Sequence, residues 1–147
     1  MKALNEMKLQ IESRSVNEGF ARATVAAFAA QLDPNIEDIS DIKTAVSEAV
    51  TNSIVHGYPD SVGKIYIWAG IYENGLFKVK IKDRGLGIED VKKALEPLFT
   101  TLGGERAGLG FAVMESFCDK IHVTSKIGKG TTVTLEKFLK GRNCGDD

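Results

Sequence analysis

Two cysteines, three prolines and one tryptophan are all that 147 residues hold of those types. Cys118 and Cys144 stand far apart, and the second lies in a polar stretch. Such a pair is neither a disulfide framework nor a metal-ligand motif. Long apolar runs are missing too. The uncharged stretch Ala23 to Leu32 falls far short of the ~20 apolar residues that a membrane-spanning helix needs. No basic segment leads into an apolar one at the start, so no secretory signal is expected. Neither sign of charge dominates: Lys and Arg number 19 and Asp and Glu 20, for a net charge of -1. A dedicated nucleic-acid binder carries a basic excess, so direct contact with DNA or RNA is not expected. With 43% hydrophobic residues the chain can build a core. The expectation is one cytoplasmic domain over residues 1–147, away from membranes, with residues 141–147 a frayed tail.

Alternation dominates what is present. Met7, Leu9 and Ile11 oppose Lys8, Gln10 and Glu12, which predicts a half-buried strand. Lys64 to Tyr72 places Ile65, Ile67, Ala69 and Ile71 on one side and Tyr66, Trp68 and Tyr72 on the other. Asn74-Gly75 is a strong hairpin signal, and Phe77, Val79 and Ile81 return facing inward. Two further strands are expected over Ile121 to Ser125 and Thr131 to Phe138. Helices are expected from Ser15 to Leu32, opened by a Ser15/Glu18 capping box, and from Ile36 to His56, closed by Gly57. Shorter ones are expected over Glu89 to Glu96 and from Gly108 or Leu109 to Asp119. Strands with one dry face put every long helix on that side. The predicted fold is an α/β two-layer sandwich, a mixed, mostly antiparallel sheet of about five strands with helices on one face. The middle of the first helix, Ala23 to Ala30, is apolar nearly all round. It is either covered by its own domain or shared with a partner subunit.

Three patterns carry chemistry. Glu48, Asn52 and His56 recur at i, i+4 and i+8, on a face apart from the core stripe. Asp83-Arg84-Gly85-Leu86-Gly87 follows a strand directly; its glycines allow close backbone approach, and an aspartate at a strand end can accept from an exocyclic amine. Gly108-Leu109-Gly110 opens a helix after Thr100, Thr101 and Arg106, where free N–H groups suit phosphate. Neither a Walker A loop nor a dinucleotide fingerprint occurs.

In this order the motifs resemble those of the GHKL nucleotide-binding superfamily. Glu48 to Gly57 resembles its N box and Asp83 to Gly87 its first glycine box. Pro97 to Thr101 resembles the intervening segment, and Gly108 to Gly110 with Gly128 to Thr131 the later boxes. Within the superfamily, Asn5-Glu6-Met7, Ser15 to Glu18, Phe20-Ala21-Arg22 and Val46 to Asn52 resemble the small anti-sigma serine kinases of Gram-positive bacteria. The likeness is greater to their sporulation branch than to the stress-response, anti-sigma B branch.

The resemblance implies ATP and Mg²⁺ as cofactors. Asn52 would hold the metal and Glu48 would be the general base. Asp83 would accept from the adenine amine, with Gly85, Gly87 and Thr131 around the base. Arg106 would meet the terminal phosphates along with Gly108 and Gly110, and a lid holding Thr100 and Thr101 would close over them. Implied partners are a sigma factor, an anti-anti-sigma protein phosphorylated on serine, and a second copy in a homodimer. Arg22 would lie on the surface that meets both proteins. The competing reading is an ATP-dependent binding module whose kinase chemistry is vestigial.

Overall fold

The computed structural model describes residues 2–95 and 110–139. Its centre is a five-stranded sheet built from β1 (Asn5–Glu12), β2 (Lys64–Ile71), β3 (Leu76–Asp83), β4 (Lys120–Lys126) and β5 (Gly130–Phe138). The spatial order is β1-β2-β3-β5-β4. Every neighbouring pair is antiparallel, so the antiparallel part of the expected sheet is the whole of it. Asn74 and Gly75 both take positive φ, 66° and 78°, and turn β2 into β3.

One face of the sheet is dry. Ile65, Ile67, Ala69, Val79, Ile81, Val133 and Leu135 are buried there. Two long helices cover them, α1 (Val16–Ala29) and α2 (Ile36–Asn52). Ala21, Val25 and Ala29 of α1 and Ile42, Ala45, Val46, Ala49 and Val50 of α2 complete the core. Burying each large aliphatic side chain is worth roughly 1.5–3 kcal/mol. Two short helices follow, α3 (Val91–Ala94) and α4 (Phe111–Phe117), the second anchored by buried Phe111 and Met114.

The helix ends depart from expectation. Ser15 already has helical angles, φ -57° and ψ -31°, and its side chain caps nothing. The carboxylate of Glu18 turns instead to Arg22, 3.4 Å away. The capping box is therefore replaced by an ion pair one turn along α1. The N-cap of α2 is Asn35, whose side chain accepts from the Asp38 amide at 2.7 Å. At its far end α2 does not stop at a left-handed Gly57. Ser53–Gly57 widen into a π-type turn, with the Tyr58 amide reaching back to the Ser53 carbonyl at 3.0 Å. The all-apolar stretch of α1 is divided between two environments. Val25, Ala26 and Ala29 are buried, while Ala23, Ala27 and Ala30 face outward beside exposed Val16 and Phe20.

Candidate nucleotide-binding site

The site forms where the end of α2 meets the end of β3. Asp83 is the last residue of β3 and is 4% exposed. A buried carboxylate needs donors, and three hold this one. Ser53 Oγ donates to Oδ2 at 2.8 Å; the amides of Gly85 and Thr131 donate to Oδ1 at 3.0 and 3.2 Å. The side chain is fixed at the floor of a cleft. Around it stand Asn52, His56, Gly87, Thr131 and the apolar groups of Ile88, Phe111 and Val133. A flat heterocycle with an exocyclic amine suits such a floor: apolar walls for its faces, a fixed carboxylate for its N–H.

Three stretches of backbone cross beside Asp83, and glycine is what lets them cross. A Cβ on Gly85 would run into the Gly57 carbonyl, one on Gly87 into that of Lys126, and one on Gly130 into that of Asp83. The Leu86 amide donates to the Gly57 carbonyl at 2.9 Å, and the Gly128 amide to that of Leu86 at 2.8 Å. Gly57, read as a helix stop, instead leaves room for Asp83; a Cβ there would lie 3.0 Å from its Oδ2.

Asn52 is buried and lines the cleft. Glu48 lies one turn earlier on α2, half-buried and outside the cleft's lining. A Cβ on Gly110 would meet the Glu48 carboxylate, so the start of α4 rests directly against it. Gly110 has φ +65°. Ala49, Asn52, Ser53 and His56 follow one another at helical spacing along the end of α2 and line the cleft together.

Residues 11–137 match the family described as Histidine kinase-like ATPase domain. The Anti-sigma F factor of Caldanaerobacter subterraneus subsp. tengcongensis is 57% identical over 140 residues, covering 95% of this chain and 96% of its own. The chain belongs to the anti-sigma F factor family. The Anti-sigma F factor of Geobacillus kaustophilus is similar at 51% identity, over 92% of this chain and 93% of its own. Among solved structures, the RsbU and RsbW domains of a Mycobacterium tuberculosis protein share the fold. They give a TM-score of 0.66 and 23% identity, over 92% of this chain and 32% of theirs. The histidine kinase domain of a blue-light activated kinase from Erythrobacter litoralis gives a TM-score of 0.57 and 20% identity, over 83% of this chain and 61% of its own.

In this member of the anti-sigma F factor family the structure brings together Asn52, Asp83, Gly87 and Thr131, with Glu48 and Gly110 touching at one end. Gly85 lies behind Asp83, donating to it, and is absent from the cleft lining. Arg22, on α1, is not among the lining residues either. Thr100, Thr101, Arg106 and Gly108 lie outside the described residues, as does the 141–147 tail. Two groups that sequence reasoning missed are Ser53 and Ser125. Ser125 Oγ accepts from the Ile88 amide at 2.7 Å and lies 2.8 Å from the Thr131 hydroxyl. It ties the loop after Asp83 to the start of β5. Among the described residues, no helix is long and apolar enough to cross a membrane.

Proposed function

We propose that this chain is an ATP-dependent anti-sigma factor that holds the sporulation sigma factor sigma F and phosphorylates an anti-anti-sigma protein on serine. The observation that carries the reading is Asp83, buried and triply hydrogen-bonded at the floor of the cleft. Such a carboxylate accepts the N6 amine of adenine, and Asn52 and Glu48 then follow along α2 on the phosphate side.

The residues present fit Mg²⁺. Among the described residues no cluster of three His, Cys, Asp or Glu side chains occurs. Mg²⁺ keeps several waters and takes one or two protein oxygens beside substrate phosphates, so a single amide oxygen from buried Asn52 suits it. When bound, the ion neutralises charge on the transferring phosphoryl group. Glu48 takes the proton from the acceptor serine, whose hydroxyl is a weak nucleophile near neutral pH. Arg106 stabilises the charge on the terminal phosphate, near Gly108 and Gly110 and beneath a lid that includes Thr100 and Thr101. Arg22 meets the sigma factor and the anti-anti-sigma protein in turn, and the working unit is a homodimer in the cytoplasm.

The test is transfer of label from γ-labelled ATP to a serine-bearing anti-anti-sigma protein. Glu48→Gln keeps the shape of the side chain and removes its basicity. The variant should bind ATP and sigma factor as wild type does and transfer phosphate at least ~10²-fold more slowly. Transfer at the wild-type rate overturns the assignment of Glu48. No transfer by the wild-type protein, with sigma binding intact, leaves an ATP-dependent binding module.

A further inference from the structure

The sheet face opposite α1 and α2 has a charge pattern that the nucleotide cleft does not use. The register sorts its outward side chains into rows across the strands. One row runs Glu6, Gly70, Lys78, Glu136 and Lys120, with signs in balance. The next runs Lys8, Trp68, Lys80, Thr134 and His122, and the one after it Gln10, Tyr66, Lys82, Thr132 and Thr124. Those two rows hold three lysines and no carboxylate. Lys8, Lys80 and Lys82 are exposed, and among the described residues none of them pairs with a carboxylate. They border a groove, open to solvent, whose floor includes Tyr66, Trp68 and Thr132.

The aromatic rings on this face are already engaged. The Lys80 ammonium stands 5.5 Å from the centre of the Trp68 ring, and the Arg84 guanidinium 5.0 Å from that of Tyr66. The Trp68 indole donates to the Glu6 carboxylate at 2.7 Å. Rings that already hold a cation over one face are poorer platforms for the base stacking that single-stranded nucleic acid requires. They hold cations in place instead. Lys80 and Lys82 are two residues apart on one strand, about 7 Å, and Lys8 lies two strands away from Lys80, about 10 Å. An extended acidic segment presents carboxylates at that same two-residue repeat.

We infer that this groove docks an extended, glutamate- or aspartate-rich segment of a protein partner, with carboxylates meeting Lys8, Lys80 and Lys82. The groove lies on the face opposite α1 and α2, so this contact is separate from the Arg22 surface and from the cleft. A second copy of the chain fits less well, because the central rows bring only cations to the contact.

The chain's one tryptophan is in the groove, so its emission reports occupancy. Titrating the full-length protein with a blocked oligoglutamate peptide should give a saturable change in Trp68 emission that weakens as sodium chloride is raised. The double variant K80Q/K82Q should lose at least ~10-fold in affinity with an unchanged circular dichroism spectrum. If that variant does not fold, Lys8→Gln on the edge strand takes its place, with a smaller loss expected. Three results would overturn the inference: no saturable change with wild type, tighter binding of an oligothymidylate than of the peptide, or Trp68 emission that follows self-association in sedimentation.

Discussion

The Ser53 hydroxyl donates to the Asp83 carboxylate at 2.8 Å across 30 residues of sequence. This bond joins the end of α2 to the end of β3 and fixes the carboxylate proposed to meet the nucleotide. Ser53→Ala removes one of three donors from a buried carboxylate. The expected loss of stability is about 1–3 kcal/mol, the range for a buried polar group left short of a partner. ATP affinity should fall about tenfold, which is about 1.4 kcal/mol, because Asp83 is no longer held in one orientation. Calorimetric titration beside a urea melt separates the two effects. Unchanged ATP affinity in a destabilised variant would confine Ser53 to a structural role.

Gly128 and Gly130 are two residues apart, and both have positive φ, 78° and 110°. Their surroundings differ. A Cβ on Gly128 meets nothing within 4 Å, whereas one on Gly130 runs into the Asp83 carbonyl. Gly128→Ala should therefore show only the backbone penalty, roughly 1–2 kcal/mol. Gly130→Ala adds a clash with main chain that cannot step aside, and should lose at least ~2 kcal/mol more. Urea midpoints of the two variants check this. Equal losses would mean that packing against Asp83 is not what demands glycine there.

These positions also mark how far the sequence can be read. Strict alternation in β2 and β3 gave away the dry face, because a two-residue period has one structural meaning when Ile65, Ile67, Val79 and Ile81 share it. Asp83 was legible as an aspartate at a strand end. Ser53 was not: helical spacing puts it beside Asn52 and His56, but nothing in that spacing says that it meets a carboxylate 30 residues away. Gly85 and Gly87 read as places of close approach to a ligand, yet their neighbours are the backbone carbonyls of Gly57 and Lys126. That crossing is a tertiary fact. The Ser15/Glu18 pair failed for a local reason: Ser15 has already entered helical angles, and Glu18 is drawn to Arg22.

Burial, ahead of any neighbouring charge, pushes the Cys118 thiol up from its ordinary 9.0 to about 11, with Lys137 pulling the other way. Cys118 lies half-buried beside Ile42, Val46 and Phe77. Below pH 9 the thiol is protonated in both folded and unfolded chains and makes no pH-dependent difference. Between about 9 and 11 the unfolded chain sheds a proton that the folded chain keeps, so stability is lost as pH rises through that window. All other ionisable groups are shared with Cys118→Ala, so the comparison isolates the thiol. The wild-type melting temperature should fall more steeply than the variant's across that window. Parallel curves would place the Cys118 thiol in an environment no drier than water.

Arg22 carries the most exposed prediction. It is the only basic residue between Arg14 and Lys43. Its side chain is 42% exposed, with the guanidinium 3.4 Å from Glu18, whose Oε2 is buried with no hydrogen-bond partner. An i,i+4 pair of this kind is worth only about 0.3–0.5 kcal/mol to the helix, so stability alone demands little of the arginine. Elsewhere on α1, Phe20, Ala23 and Ala27 face outward. A part-exposed guanidinium offers a planar fork for a partner's carboxylate. If sigma factor and anti-anti-sigma protein both use it, one displaces the other by occupying the same residue. Losing a buried charged contact costs about 2–5 kcal/mol, and charge reversal adds repulsion. Arg22→Glu should weaken both partners by ~10²-fold or more while ATP affinity and the circular dichroism spectrum stay as in wild type. Glu18 would then face a second carboxylate one turn away, so Arg22→Gln serves as the milder companion variant. Two titrations on each variant, one per partner, decide the matter. Wild-type affinity for both partners would leave Arg22 a solvated helix charge, and loss of one partner alone would remove the competition on which the switch depends.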